Sequence, residues 1–484
     1  MRITTIALLA AAVAASPAAA QVPAAVAPPI ASQGAAPPAL QAPGPHDLSA
    51  REILKELVEI NTTDSSGSTT RAAEAMAARL RAAGFPEADV QVLGPNARKG
   101  NLVARLRGRG EGRPILLLAH LDVVEARKED WAPDLDPFVF VERDRYFYGR
   151  GTSDDKGQAA IWIANLIRYK QESLVPARDI IVALTADEEG GDSNGASWLL
   201  ANHRRLVDAE YVLNEGGGGE IRNGKALCNN VQAAEKMYFT VALEARNPGG
   251  HSALPRKDNA IYKLAAALTR LAAHEFPIEL NETTREFFAG MATLESGQTA
   301  ADMKAVSGPA PDLVAAARLA AASPSYNAMM RSTCVATLLG GGHAENALPQ
   351  LAKAVVNCRI LPGSNPRAIE QALKLAVADD GVAVRPTWEP VPSPASPLRP
   401  DLMAAVRLHT ADMWPGVVVL PIMTSGATDG LHFRNAGIPT YGVDGVFYDV
   451  DDTRAHGKDE RVGVREFYEG REFLYRLVKT LAGS

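Results

Sequence analysis

Histidine and carboxylate side chains recur along this chain at the ends of segments whose apolar character predicts buried strands. Imidazole nitrogens and carboxylate oxygens are ligands that zinc takes in catalytic sites. Sites in open α/β sheets form at the carboxyl ends of the strands, so such side chains can meet although they lie far apart in the sequence. The pattern therefore predicts a metal-dependent hydrolase. The five candidate ligands are His120, Asp154, Glu189, Glu215 and His456.

His120 and Asp122 follow the apolar run at 115–119. Residues two apart on a strand point to the same side, so Asp122 can bind the second ring nitrogen of His120 and fix its tautomer. The alternative interpretation is a core histidine hydrogen-bonded to a local carboxylate, because a short motif alone has a high false-positive rate.

Asp154 lies in a glycine-flanked turn, residues 148–157, that leads into a predicted helix. The glycines let the backbone approach a site closely, and the two oxygens of Asp154 can bridge two metal ions. An aspartate that only caps the helix is the alternative. For His456, just before the last predicted helix, the alternative is a surface histidine.

Two adjacent glutamates, Glu188 and Glu189, follow the predicted strand at 180–184. Adjacent side chains at a strand end point in different directions, so Glu189 can bind metal while Glu188 accepts the proton of a metal-activated water. Glu215 is the candidate after the next strand, because the preceding Asn214 has no anionic oxygen. For an acidic run taken alone, a solvated loop is the alternative.

Taken together, these segments resemble the di-zinc exopeptidase and amidohydrolase family of glutamate carboxypeptidase, aminoacylase, carnosinase and carboxypeptidase S. The resemblance covers residues from about 48 to 482. It implies that the five candidate ligands bind two Zn²⁺ ions with Asp154 shared, that Glu188 is the catalytic carboxylate, and that Asp122 orients His120. A mixed set of histidines and carboxylates suits zinc, with Co²⁺ or Mn²⁺ as substitutes.

The resemblance extends to residues 249–255, which are similar to the GGHSxxP segment of the family's lid or dimerisation domain. It implies that His251 stabilises the oxyanion, often in the active site of a partner subunit, so that a homodimer forms through the lid. Asn346 and Arg359 resemble the family's substrate-binding groups, and Gly426 lies in a segment that resembles its glycine-rich substrate loop. For Arg359 a structural ion pair is the alternative, because buried arginines are commonly paired.

The spacing of apolar runs predicts the fold class. Continuous runs at 115–119, 180–184 and 211–213 alternate with helix-length segments. Strands that are buried on both faces have this character, so we predict an α/β fold with a mostly parallel sheet flanked by helices. After about residue 236 an alternating strand pattern begins, which predicts an inserted α+β domain.

The chain exceeds the length at which one core stops growing, so two domains are expected. Ser49 and Glu52 form a predicted capping box at the start of the first helix. The predicted organisation is a signal peptide at 1–20, an Ala/Pro-rich disordered leader at 21–46, a catalytic metallohydrolase domain from 47–235 and 393–484, and an inserted lid or dimerisation domain at 236–392.

The amino terminus predicts export. Arg2, a short apolar run and three alanines before Gln21 are typical of a secretory signal, and the periplasm or the medium is the expected destination. The run is shorter than the roughly 20 residues that span a bilayer, so no membrane span is expected. The net charge of −6 gives no indication of nucleic-acid binding.

The cysteines suggest neither a disulfide framework nor a cysteine zinc site. There are three, Cys228, Cys334 and Cys358, an odd number without CxxC spacing. Cys334 and Cys358 lie in apolar strand-like runs, where we expect them to be small buried hydrophobic side chains.

These observations lead to one functional hypothesis and its alternatives. We expect hydrolysis of a peptide or amide bond next to a terminal amino acid, of the carboxypeptidase or dipeptidase type, and the sequence leaves an N-acyl amino acid substrate open. A non-catalytic metal or peptide binder is disfavoured, because a binder has no use for a base such as Glu188. An ordinary α/β protein with acidic helix caps would require independent coincidences at five positions.

Overall fold

The apolar runs of the sequence form the centre of a large sheet in the computed structural model, which describes residues 42–483. The α-helices are α1 (Pro45–Glu59), α2 (Thr69–Ala82), α3 (Lys156–Gln171), α4 (Gly195–Asn202), α5 (Arg204–Val207), α6 (Ala260–Ala272), α7 (Glu282–Met291), α8 (Gly297–Val306), α9 (Leu313–Ala322), α10 (Pro324–Met330), α11 (Pro366–Val377), α12 (Pro400–Met413), α13 (Gly430–Asn435) and α14 (Val464–Leu481).

The strands follow the same chain order. They are β1 (Val90–Leu93), β2 (Asn101–Leu106), β3 (Ile115–His120), β4 (Val141–Arg143), β5 (Tyr146–Tyr148), β6 (Ile180–Thr185), β7 (Tyr211–Asn214), β8 (Gly218–Arg222), β9 (Lys225–Glu235), β10 (Met237–Arg246), β11 (Gly250–His251), β12 (Thr333–Gly341), β13 (Ala347–Leu348), β14 (Leu351–Ile360), β15 (Val382–Pro386), β16 (Val418–Thr424), β17 (Thr440–Gly442), β18 (Phe447–Asp449) and β19 (Arg461–Gly463).

The main sheet has ten strands in the order β1-β2-β6-β3-β7-β17-β9-β8-β18, with β16 paired to β9. The central strand β3 is parallel to both β6 and β7. Leu117 packs in the core formed with α1, α3 and α14, whereas Leu116 and Leu118 pack with Leu199 of α4 and Phe433 of α13. Both faces of the strand are therefore covered by helices, which confirms the predicted α/β fold class.

A second sheet is antiparallel throughout, in the order β12-β14-β10-β15. Helices α6 and α11 cover one of its faces. The core there includes Val241, Val356, Leu264 and Leu373. Alternate residues of β14 are buried, and the residues between them are not. This alternation is the pattern that the sequence showed after residue 236, and it leaves the other face of the sheet open.

Helices α7 to α10 lie within the predicted insertion at 236–392 but share a core with the main sheet. Phe288 of α7 and Leu319 of α9 pack with Cys228 of β9 and Leu420 of β16. The predicted insertion therefore contains two packing units, the antiparallel sheet with its helices and a helical layer on the large sheet.

The first helix begins earlier than predicted. Its N-cap is Gly44, whose N–H donates to Asp47 Oδ2 at 2.9 Å, and Pro45 occupies the first turn, where its missing N–H is not needed. Ser49 and Glu52 are interior residues of α1, so the predicted capping box is wrong, and the leader ends before residue 45. The predicted signal peptide, and the leader as far as residue 41, lie outside the described residues.

Cys334 and Cys358 form a disulfide, so the expectation of two unlinked cysteines is wrong. The antiparallel register of β12 and β14 sets Cys334 directly opposite Cys358. Cross-strand neighbours of this kind are close enough to bond. Their separation of 24 residues gives no local spacing signal. Cys228 is free and buried.

No helix within residues 42–483 is long and apolar enough to cross a membrane.

Candidate metal centre

The five candidate ligands converge at one edge of the main sheet. His120 ends β3, Glu189 follows β6 and Glu215 follows β7. Because these three parallel strands are neighbours, their carboxyl ends lie side by side. Asp154 precedes α3, and His456 lies in the loop between β18 and β19. Elements from distant parts of the chain thus bring together the residues that the sequence singled out.

The ligands form two groups that share Asp154. One group is His120, Asp154 and Glu215, and the other is Asp154, Glu189 and His456. Within each group, one ligand atom from each residue lies within 4.8 Å of the others. Asp154 Oδ1 is 3.0 Å from His120 Nε2, and Asp154 Oδ2 is 3.1 Å from His456 Nε2. Each oxygen of Asp154 therefore faces one histidine, the arrangement expected of a ligand shared by two ions.

The electrostatics of the cluster fit divalent cations. Burial raises the pKa of Glu215 well above its ordinary range and that of Glu189 to about 7, and repulsion from Asp154 adds to both shifts. Burial also acts to raise the pKa of Asp154, but hydrogen bonds with His120 and His456 outweigh it and lower that pKa. Buried carboxylates that repel one another are stabilised by bound cations, and these nitrogen and oxygen donors suit a transition metal.

Asp122 organises the site in a different way from the one that the resemblance implied. His120 Nδ1 lies 2.9 Å from the main-chain oxygen of Asp122 but 3.7 Å from its carboxylate. The carboxylate instead accepts hydrogen bonds from the N–H groups of Glu188 at 3.1 Å and Glu189 at 2.9 Å. The backbone of Asp122 therefore holds the histidine, and its side chain holds the two glutamates.

Glu188 is buried beside the ligand groups, in surroundings that strengthen it as a proton acceptor. Burial raises its pKa well above the ordinary range, and the Glu215 carboxylate raises it further. A carboxylate poised in this way suits general base catalysis.

A buried ion pair shapes the turn that carries these glutamates, and the sequence did not indicate it. Asp187 has a left-handed backbone, with φ of 57°, and its carboxylate accepts a hydrogen bond from Lys99 Nζ at 2.5 Å and one from Ser193 N–H at 3.1 Å. Lys99 Nζ also binds Asp64 at 2.5 Å. These contacts anchor Asp187 immediately before Glu188.

Glu460 is a second residue that the sequence did not single out. Its carboxylate is fully buried and binds Arg150 Nη1 at 2.7 Å. It also accepts hydrogen bonds from the N–H groups of Gly151 at 3.0 Å, Ser153 at 2.9 Å and Asp154 at 3.1 Å. Glu460 stands four residues after His456, so one carboxylate ties the loop of one ligand to the loop of another. That proximity in sequence was the available signal.

His251 and Asn346, two of the predicted substrate-contacting residues, lie together in an exposed ribbon. Strand β11 pairs with β13, so that His251 is opposite Ala347. Ser252 N–H donates to the Asn346 carbonyl at 3.1 Å, and Ala253 N–H donates to His251 Nδ1 at 3.0 Å. Among residues 42–483, no hydrogen bond joins this ribbon to the five ligands.

Arg359 contacts the segment that contains Gly426. Arg359 Nη1 donates to the Ser425 carbonyl at 3.0 Å, and its guanidinium lies over the Tyr238 ring, 4.6 Å from the centroid. Burial lowers the pKa of Arg359, and it has no carboxylate partner within the described part of the chain. The alternative of a structural ion pair is therefore not realised.

The loop that begins at Ser425 runs from Arg359 to the ligand cluster. Thr428 Oγ1 accepts a hydrogen bond from Asn214 Nδ2 at 3.2 Å, and Asn214 directly precedes Glu215. Asp429 in turn accepts hydrogen bonds from Thr185 Oγ1 at 2.7 Å and Asn194 Nδ2 at 2.6 Å. This loop therefore connects the open face of the second sheet with the metal ligands.

Comparison with known proteins gives matches over most of the chain. Residues 116–480 match Peptidase family M20/M25/M40. The chain is 28% identical over 379 residues to N-fatty-acyl-amino acid synthase/hydrolase PM20D1 of Homo sapiens, covering 76% of this chain and 74% of that protein. It is 28% identical over 391 residues to probable carboxypeptidase S-like 2 of Dictyostelium discoideum, covering 78% of this chain and 74% of that protein.

The fold is similar to that of an M20 family metallo-carboxypeptidase from Sulfolobus solfataricus. The TM-score is 0.66 at 17% identity, with 90% of this chain and 99% of that chain covered.

Proposed function

This chain belongs to peptidase family M20/M25/M40, and we propose that it hydrolyses the amide bond that joins an acyl group to a carboxyl-terminal amino acid. The observation that carries the proposal is the pair of ligand groups that share Asp154, with Glu188 beside them. N-acyl amino acids are the first substrate class, supported by the N-fatty-acyl-amino acid synthase/hydrolase relatives.

The metal ions of this proposal are two Zn²⁺, with Co²⁺ or Mn²⁺ as substitutes. His120, Asp154 and Glu215 would hold one, and Asp154, Glu189 and His456 the other. Bound there, such ions supply a water of lowered pKa and a polarised carbonyl.

The protein's own groups then move the proton. The Glu188 carboxylate accepts it from the attacking water, whose oxygen forms a bond to the acyl carbon. Glu188 delivers the same proton to the nitrogen as the carbon–nitrogen bond breaks, which releases a carboxylic acid and a free amino acid. Burial raises the pKa of Glu188 above its ordinary range, which makes its carboxylate a stronger base for the first transfer.

Arg359 supports recognition of a terminal carboxylate. Its guanidinium is partly buried, donates to the carbonyl of Ser425, which precedes Gly426, and lacks an anionic partner among the described residues. A planar guanidinium binds a carboxylate with two parallel hydrogen bonds, which makes arginine the usual choice for this task. Asn346 and His251 would complete the polar contacts, with His251 donating to the oxyanion.

Peptides are the second candidate substrate. The similarity to a probable carboxypeptidase S-like protein favours them, and the same carboxylate recognition would select the carboxyl-terminal residue of a peptide. The reaction at the scissile amide would be identical, so only the acyl side of the substrate distinguishes the two candidates.

A second copy of this chain is the partner that we propose for the lid. Strand β12 is an edge strand, and Leu338 and Leu339 on it are 67% and 72% exposed. Tyr262, on the neighbouring helix α6, is 64% exposed. An exposed edge strand with apolar side chains is a ready surface for pairing with another strand.

Export completes the proposal. The signal-like sequence at 1–20 supports it, and so does the disulfide between Cys334 and Cys358, because such bonds persist in oxidising compartments outside the cytosol.

The decisive experiment measures metal content and turnover together. The chain beginning at Gln21 would be purified, its metal quantified, and a panel of N-acyl amino acids and dipeptides assayed with and without a chelator. We expect about two metals per chain and amino-acid release that the chelator abolishes. Two metals without turnover on either class would contradict the proposed reaction, and a chain that binds no metal would contradict the site.

A further inference from the structure

Two aromatic rings are stacked in the open beside Arg359. The ring centroids of Tyr238 and Trp388 are 5.5 Å apart, and the ring planes are inclined by 27°. Both side chains keep much of their surface in solvent, 39% for Tyr238 and 44% for Trp388. Large aromatic surface left open to water forgoes the free energy of burial that such rings usually contribute.

The register of the second sheet joins these rings to the proposed carboxylate site. Tyr238 of β10 is directly opposite Arg359 of β14, so both side chains lie on the open face of the sheet. The Arg359 guanidinium covers one face of the Tyr238 ring, and Trp388 stacks against that ring. Since Arg359 also binds the Ser425 carbonyl, the rings, the guanidinium and the loop of Gly426 form one continuous cluster.

The backbone beside the stack is held by hydrogen bonds of its own. Thr387, which precedes Trp388, donates to the Thr240 carbonyl through its N–H at 3.0 Å and through its Oγ1 at 3.1 Å. These two bonds fix the chain at that point without the indole ring. Holding the backbone in place therefore does not explain why the large ring of Trp388 is exposed here.

The two cations beside the rings have no carboxylate partners among the described residues. Lys236 lies near Arg359, and its Nζ donates only to the uncharged Arg331 carbonyl at 2.7 Å and Thr333 Oγ1 at 3.3 Å. No ion pair with a carboxylate is present for Lys236 or Arg359 among the described residues. A ligand with one carboxylate and one apolar group would complement this site, because the carboxylate can pair with the positive charge and the apolar group can pack on the aromatic rings.

We propose that Tyr238 and Trp388 form the subsite for the side chain of the released amino acid. The inference rests on the proposed function and specifies its substrate class: amino acids with large apolar side chains, aromatic or branched aliphatic. The α-carboxylate and the side chain of an amino acid are attached to the same carbon. A carboxylate bound by Arg359 therefore holds its side chain next to the rings that flank the guanidinium.

The test is a specificity ratio. Substrates that share one acyl group and carry glycine, alanine, leucine, phenylalanine or aspartate would be assayed with the full mature chain. The wild-type protein should favour phenylalanine and leucine over glycine by roughly tenfold or more in kcat/KM. Trp388→Ala should lower the phenylalanine-to-glycine ratio by roughly five- to tenfold, mainly through KM, and Trp388→Phe should restore most of it.

A matched control is Leu375→Ala, which removes an exposed apolar side chain from α11 on the opposite face of the same sheet. It should leave the ratio unchanged. If Trp388→Ala slowed every substrate by the same factor, or left the ratio at the wild-type value, the subsite would be refuted while the hydrolase activity stood. If the wild-type protein released no amino acid from any substrate of either class, the proposed function would fail and the subsite with it.

Discussion

Asp154 shows how much chemistry one side chain can determine. Its two oxygens face His120 and His456, which belong to segments more than three hundred residues apart in the chain. Each group is completed by one glutamate, so both groups consist of one histidine, one glutamate and the shared aspartate. The donor types make this cluster a candidate metal site, and their positions at strand ends made it visible in the sequence.

Glu188→Gln tests whether the base and the ligands have separate roles. The amide cannot accept the proton of the water, so kcat should fall by roughly 10² to 10⁴-fold. Metal content should stay at the wild-type value, because Glu188 belongs to neither ligand group. Turnover and metal analysis on the same preparation check both points, with Glu74→Gln on the surface of α2 as the control. A variant with near-normal kcat would remove Glu188 from the mechanism.

Glu460→Gln tests the link between the two ligand loops. The substitution keeps the shape of the side chain but removes the charge that binds Arg150 and the N–H groups of Gly151, Ser153 and Asp154. With Asp154 less firmly held, metal affinity should fall by roughly 10- to 100-fold, as it does when residues around metal ligands are changed. Competition with a chromogenic chelator measures this directly, and unchanged affinity would mean that Glu460 serves only folding.

Individual residues could be predicted from the sequence only when their chemistry was local. Glu215 directly follows an apolar strand and Glu189 lies in the short turn after another, which identified them. Glu460 and Lys99 act through contacts with loops that are distant in sequence, and in a linear chain each looks like an ordinary surface charge. The sequence indicated that the Asp122 side chain has a role in the site, but it did not indicate its hydrogen-bond partners. The turn that carries Glu188 lies next to the end of β3 only in the folded sheet.

At the scale of elements, hydrophobic patterning identified the strands that are buried on both faces. Strand β9 went unrecognised because its buried positions include Asn229 and Asn230. Their amide nitrogens donate hydrogen bonds within the fold, Asn229 Nδ2 to Thr410 Oγ1 at 3.0 Å and Asn230 Nδ2 to Glu220 Oε1 at 3.1 Å. A buried polar residue with a distant partner is indistinguishable, in the sequence, from an exposed one.

Lys236, on the segment that leads into the second sheet, makes stability depend on pH. Burial lowers its pKa to about 7 in the folded protein, against about 10.4 for an exposed lysine. Between these values the unfolded chain binds a proton that the folded chain does not. This group therefore makes the protein more stable as pH rises from 7 toward 10. Below pH 7 it is protonated in both states and does not change the free energy of unfolding further with pH.

Lys236→Met should remove that contribution. In urea unfolding between pH 8 and 9.5, the free energy of unfolding of the wild type should rise relative to the variant by up to about 1.4 kcal/mol per pH unit. Lys353→Met, at a lysine that faces solvent on β14, should track the wild type. Equal slopes for Lys236→Met and the wild type would show that Lys236 stays charged in the folded protein.

At the scale of the whole molecule, the proposed site draws on both sheets. The metal ligands belong to the main sheet and the loops at its edge, whereas Arg359, Asn346 and His251 belong to the second sheet and its ribbon. Loop 425–428 joins Arg359 to Asn214 and so connects the two sets. His251 has no such link among the described residues, which is consistent with the role in a partner subunit's site that the family resemblance implies.

Complementation between two inactive variants tests that role. Glu188→Gln should inactivate the site of its own chain, and His251→Ala should inactivate the site of the partner chain if a dimer forms through β12. In a mixed dimer, one site then combines an intact Glu188 with an intact His251. Random mixing of equal amounts should restore about a quarter of wild-type activity, since half of the dimers are mixed and each has one working site of two.

The outcome separates the two arrangements because a site that uses the His251 of its own chain gains nothing from mixing. In that case each mixed dimer has one site without Glu188 and one without His251, and activity stays at the level of the parents. Adding Leu338→Lys and Leu339→Lys to both variants provides the control. Charges on the exposed edge of β12 disfavour strand pairing, so these chains should run as monomers in light scattering and should not complement. Recovery of activity by such monomers would mean that the partner contact lies elsewhere on the molecule.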